Sequence, residues 1–164
     1  IKDERPQTIG VEGVWNLSAY HYKGSTLLRE YVKGLKKKRM IASFCPGCAK
    51  VIVSPRNLCG RCHRKMDGRK IVSDRGSITC LVVSPPIHKG KLKVIGMDPV
   101  ETGLIKDGEV VIPVFVKFDG SDSNTDTILL NADPKDVHIG MRVKVVWAKN
   151  LQGALSDIEG VEPI

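Results

Sequence analysis

Two cysteine pairs, Cys45-Pro46-Gly47-Cys48 and Cys59-Gly60-Arg61-Cys62, stand ten residues apart in the chain. Each C-x-x-C turn brings two sulfurs into one tight loop and aims backbone N–H groups at them. Two such loops supply the four soft ligands that zinc takes in a tetrahedron. The spacing therefore predicts one structural zinc on Cys45, Cys48, Cys59 and Cys62. Two disulfides, a redox C-x-x-C or a rubredoxin-like iron site would use the same residues, and iron is the main competitor because the ligand set alone does not exclude it. His63 adjoins Cys62 and is an alternative fourth ligand. A closed shell of four cysteines leaves no position for water, which disfavours metal-assisted hydrolysis. Gly47 and Gly60, one inside each turn, are expected to relax the backbone there.

The remaining residues offer little further chemistry. Cys80 lies in the apolar run Ile78 to Val83 and reads as a buried core residue. His21, His88 and His138 are isolated, and no phosphate-binding loop, dinucleotide fingerprint, nucleophile elbow or H-E-x-x-H motif is present. Acidic residues of the second half fall in turns rather than as an inward pair, so the isolated chain is not expected to be a catalyst. Five cysteines, four of them paired, favour a reducing compartment over a disulfide framework. No charged stretch followed by an apolar run comes after Ile1, and no apolar stretch approaches the roughly 20 residues of a membrane span. The expected location is the cytoplasm, with no membrane contact.

Charge is unevenly spread over the 164 residues, whose net value is +8. Residues 23–75 carry fifteen Lys or Arg against Glu30, Asp67 and Asp74, while the flanking segments are net negative. Such asymmetry turns the first half towards an anionic partner, although a zinc held by four thiolates leaves a formal −2 that nearby cations also balance.

The elements that must position the cysteines are legible in the pattern. Leu27, Leu28, Tyr31, Val32 and Leu35 recur at helical steps between Thr26 and Lys38, with Ser25 or Thr26 as cap and Lys36 to Arg39 at the end that favours cations. Upstream, Val14, Trp15, Tyr20 and Tyr22 form an arm without a clean period. Strands are expected at Met40–Phe44 and Lys50–Val53, with a third closing the ribbon by Lys70. After Arg75, β-branched runs at 77–83, 91–95, 110–118, 127–130 and 142–147, separated by turn residues, predict a five-stranded barrel, with a short helical turn at Pro134 to Gly140. The fold class expected is mainly β with a short N-terminal helical segment. Its parts are an arm and helix (1–39), a four-cysteine zinc ribbon (40–75) and a barrel domain (76–164).

Helix, four-cysteine ribbon and five-stranded barrel in that order resemble the two-domain family of acyl-CoA-associated proteins, in which a rubredoxin-like zinc ribbon precedes an OB-fold. Carrying the resemblance are Tyr31-Val32-Lys33-Gly34-Leu35, the first knuckle, Ser54-Pro55-Arg56 leading into the second, Arg75-Gly76-Ser77-Ile78-Thr79, and Ile139 to Val145. It spans residues 25 to 150; the segment from Pro85 to Gly108 and the arm through Tyr22 depart from it. The resemblance implies a non-catalytic accessory subunit of a thiolase-superfamily enzyme, in a hetero-oligomer that makes or breaks carbon–carbon bonds on acyl-CoA. On that reading Arg56 and Arg75 would meet the phosphates of coenzyme A. A nucleic-acid-binding module is the alternative, supported by the basic half. It is weakened by the scarcity of aromatic residues after position 75, which are Phe115, Phe118 and Trp147 alone.

Overall fold

The computed structural model describes residues 26–94 and 96–164; the arm through Tyr22, Ser25 and Ile95 lie outside the described residues. Helix α1 spans Thr26–Leu35 and buries Leu27, Tyr31, Gly34 and Leu35, which belong to the face that the periodicity predicts. It stops three residues before Lys38, which adopts the left-handed conformation (φ 54°) while Lys37 and Arg39 donate N–H bonds back to the Gly34 carbonyl. Gly34 marks a close approach. A Cβ there would lie 2.8 Å from both the Arg39 carbonyl oxygen and the Ile41 Cδ1.

Two antiparallel sheets follow. The first holds β1 (Met40–Phe44), β2 (Val51–Ile52) and β3 (Gly68–Val72) in the order β2-β1-β3, with Ile41 opposite Ile71 and Ser43 opposite Ile52. The second holds β4 (Arg75–Leu81), β5 (Pro113–Phe118), β6 (Asn124–Ile128), β7 (Arg142–Trp147) and β8 (Ile158–Pro163) in the order β6-β5-β4-β7-β8. Along β5 the burial alternates strictly, with Val114, Val116 and Phe118 inward, as a sheet covered on one face requires. The expected barrel is a sheet that curls until its edges touch. Its two edges meet at one isolated parallel bridge, Leu129 to Val161, where the Leu130 N–H donates to the Val161 carbonyl at 2.7 Å, and no closed ladder forms among the described residues.

Three sequence expectations change here. Of the segment expected as a strand at 91–95, the described residues 91–94 form none: Gly90 and Gly96 take left-handed conformations, and Asp98 draws the N–H groups of Gly90, Val100 and Glu101 to its carboxylate. The fifth strand is β8 instead. Gly160 breaks its hydrophobic pattern because β6 passes so close that a Cβ would meet the Ile128 oxygen at 2.6 Å. Pro134 to Gly140 forms turns without a helix.

One apolar cluster joins all these parts: Tyr31 and Leu35 of α1, Met40, Ala42, Val51, Val53 and Val72 of the ribbon, and Ile78, Val116, Phe118, Val143 and Val161 of the curled sheet. The turn after β5 clamps the ribbon from outside. Asp122 accepts from Lys50 Nζ at 2.8 Å and from the Val51 N–H at 2.9 Å, and the Ser123 hydroxyl accepts from the Val53 N–H. Lys50, and after it the Val51 N–H, hold the Asp122 carboxyl below the usual carboxylate range.

Two measurements check this packing. Asp122→Ala should cost about 1 kcal/mol at neutral pH by urea denaturation, since the pair is partly solvated. Because the folded pKa is the depressed one, that contribution is complete above the unfolded value of about 3.9 and is lost as pH falls through the folded value, so wild type and variant should converge in acid. Gly76→Ala should cost about 1–3 kcal/mol, because its Cβ would come within 2.5 Å of the Lys117 oxygen and 2.9 Å of the Phe118 Cα, backbone atoms that cannot rotate aside.

A four-thiol candidate metal centre

Both knuckles are built by the same backbone device. In the first, the Cys45 N–H donates to the Lys50 carbonyl and the Ala49 N–H to the Cys45 carbonyl, each at 2.9 Å. In the second, the Cys59 N–H donates to the Arg64 carbonyl and the His63 N–H to the Cys59 carbonyl, again at 2.9 Å. The residue after the second cysteine of each pair is left-handed, Ala49 at φ 58° and His63 at φ 57°. The glycines expected to relax these turns do not carry that geometry: neither has positive φ, and a Cβ on Gly60 would meet nothing within 4 Å. His63 thus serves as the turn's left-handed residue, with its side chain exposed and outside the sulfur cluster.

The four sulfurs lie within 4.8 Å of one another, with Cys45 to Cys62 at 3.4 Å and Cys48 to Cys59 at 3.5 Å. A tetrahedral ion with metal–sulfur bonds of about 2.3 Å sets neighbouring sulfurs about 3.8 Å apart, so the donor set fits a metal ion with little movement. Cys45, Cys59 and Met66 are buried in a small cluster of their own, with Cys48, Ile52 and Cys62 packed on it. The thiols also divide electrostatically. N–H groups of Cys62 and Arg61 pull Cys59 down to about 6, against its burial. At Cys48 the Lys50 N–H favours the thiolate, yet burial and the thiols of Cys59, Cys45 and Cys62 push its pKa up to about 12. Burial opposes ionisation of Cys45, but the N–H groups of Cys48 and Gly47 and the neighbouring sulfurs lower its pKa overall. Four negative sulfurs cannot share so small a volume uncompensated, and a divalent ion resolves that conflict.

Other candidate residues are scattered. Arg56 is exposed; its N–H donates to the buried Ser43 hydroxyl at 2.7 Å, and it lines a cleft of about 470 Å3 between the ribbon and β6, together with Arg61 and Thr125. The Thr125 hydroxyl is the one buried side-chain polar atom without a hydrogen-bond partner among the described residues. Arg75 begins β4 opposite Lys144 and does not line that cleft. Cys80, expected in the core, is exposed. A β-bulge between Ile78 and Cys80 shifts the register by one, setting Cys80 across from the exposed Phe115 instead of inward with Ile78.

No protein-family model matches the sequence, and no curated protein does. Solved structures do. A DUF35-family protein of unknown function from Sulfolobus solfataricus matches with a TM-score of 0.58 at 14% identity, over 85% of this chain and 86% of that one. A chain of the Ltp2-ChsH2(DUF35) aldolase matches with a TM-score of 0.56 at 14% identity, over 87% of this chain and 98% of that one. The class defined by fold and centre is thus a helix-led, four-cysteine ribbon joined to a curled five-stranded sheet. It is a fold shared with DUF35 structures along nearly the whole chain.

Replacing Cys45 by Ser should abolish metal binding and melt the ribbon, read by metal analysis and circular dichroism. His63→Gly should keep the metal and stay within about 1 kcal/mol of wild type, because glycine relieves a left-handed residue while adding chain entropy. Retained metal separates its turn role from a ligand role.

Proposed function

We propose that this chain is a zinc-stabilised, non-catalytic accessory subunit of a thiolase-type acyl-CoA enzyme, working in a cytoplasmic hetero-oligomer whose partner brings the catalytic groups. The observation that carries the reading is the likeness, over 87% of this chain, to a chain of the Ltp2-ChsH2(DUF35) aldolase, 98% of which is matched. The centre, on this reading, is a cross-link of Cys45, Cys48, Cys59 and Cys62 around Zn2+; bound zinc supplies structural charge compensation and leaves no ligand position to fill. Arg56 and Arg75 are proposed to meet the phosphates of coenzyme A or an acyl-CoA. The cleft beside Arg56, with Arg61 and the unpartnered Thr125 hydroxyl, supports the first of them. No helix among the described residues is long and apolar enough to cross a membrane. Nucleic-acid binding has weaker support: Phe118 is buried and Trp147 half-buried, which leaves Phe115 as the exposed aromatic side chain for stacking on the curled sheet.

The test is native purification through a tag on this chain, with mass spectrometry and metal analysis. A thiolase-type subunit and one zinc per chain are expected, and coenzyme A affinity of that complex should fall about tenfold in an Arg56→Gln/Arg75→Gln variant. Recovery of nucleic acid without an enzyme would overturn the reading, and iron in place of zinc would overturn the metal assignment.

A further inference from the structure

Between the C-terminal half of α1 and the strands β1 and β3 lies an open trough of about 660 Å3. Its floor is apolar: Ile41 and Ile71 face each other across the β1–β3 pair, and Ile71 is 65% exposed. Its walls carry Lys33, Lys36, Lys37 and Arg39 from the helix and the turn after it, and Arg69 and Lys70 from β3. Against these cations stands one carboxylate, Glu30.

Half of the cations have local work. Arg69 donates from Nε to Glu30 at 2.7 Å and from Nη1 to the Gly68 and Asp67 carbonyls at 2.9 and 3.0 Å. Lys36 packs along Gly153 and faces Asp157, whose carboxylate accepts from the N–H groups of Gln152 and Gly153. Lys70 sits over the Phe44 ring, 5.2 Å from its centroid. Lys33, Lys37 and Arg39 make no ion pair among the described residues. The partial charge at a helix C-terminus is only about −0.5, too small to balance three cations.

We propose that this trough receives an extended acidic segment of a partner protein whose alternate side chains are apolar. Lys33 in the last turn of α1 and Lys37 in the turn that follows it both line the trough. Successive side chains of an extended chain point to opposite sides, so carboxylates at every second position meet the lysines while the intervening side chains turn to the Ile41–Ile71 floor. A nucleic acid would leave that floor without a match, since it offers isoleucine where bases need aromatic faces. The inference deepens the accessory reading by naming the contact, and it is tested with a synthetic probe so that the two fail separately.

The probe is a fluorescein-labelled peptide of four Glu-Val repeats, titrated with the zinc-loaded full chain and followed by anisotropy. Saturable binding is expected, weakened about tenfold or more by Lys33→Glu/Lys37→Glu and likewise by replacing Val with Ser in the peptide. Ile71→Ser, at an exposed position, should weaken the Glu-Val peptide and leave the Glu-Ser peptide unaffected, while Arg56→Gln/Arg75→Gln changes neither. Equal binding of the two peptides, or binding that survives the lysine reversal, would overturn the proposal. So would tighter binding of a single-stranded oligonucleotide at the same lysines. Peptide binding without a co-purifying enzyme keeps the trough and sinks the accessory reading; an enzyme that co-purifies undiminished with the lysine-reversed chain, with no peptide binding, does the opposite.

Discussion

Everything in the first half of the molecule hangs on four sulfurs held within one ion's reach. The ribbon has almost no interior of its own: beside the cysteines, Met66 is its one fully buried residue near the centre, and β2 is two residues long. So small an apolar cluster cannot offset the entropy of ordering two loops, which is the usual reason small units adopt a metal cross-link. The identical hydrogen-bond pattern of the two knuckles, each closed by a left-handed residue, presents four ligands from backbone that would otherwise have no reason to stay in place.

Mechanical continuity passes outward from that cross-link through β2. Val51 and Val53, one strand step from the first knuckle, are buried in the cluster shared with α1 and the curled sheet, and Asp122 and Ser123 fasten the same segment through its N–H groups. Helix, ribbon and sheet accordingly share one interior despite their separate patterns in sequence. The outer surface of the ribbon half is left to charge, and the trough beside α1 gathers six cations against one carboxylate.

Sequence reading succeeded where chemistry or period is local. The cysteine spacing, the apolar stripe of α1, and the strands at Met40–Phe44 and Arg142–Trp147 need no information from elsewhere in the chain. It failed where a distant neighbour decides. The strand at Ile158–Pro163 contains a glycine and ends on a proline, and only the proximity of Ile128 explains that glycine. Cys80 lies in an apolar run two residues after the buried Ile78, and a bulge opposite Phe115 turns it outward. The run at 91–95 has the right residues for a strand, but the Asp98 carboxylate collects the backbone donors around it. At the centre, the strained positions were Ala49 and His63 rather than the glycines, and position relative to the second cysteine is the signal that would have found them.

The single bridge between the edges of the curled sheet gives the molecule a seam. Four of the five strand contacts around the sheet are hydrogen-bonded ladders, whereas the edges β6 and β8 are joined by the single bridge from Leu129, just past β6, to Val161. Local opening follows the fewest bonds, so amide protons along this seam exchange with solvent ahead of those in β4 and β5. The curled sheet therefore opens first at its seam, away from the central pairing of β4 with β5 and β7.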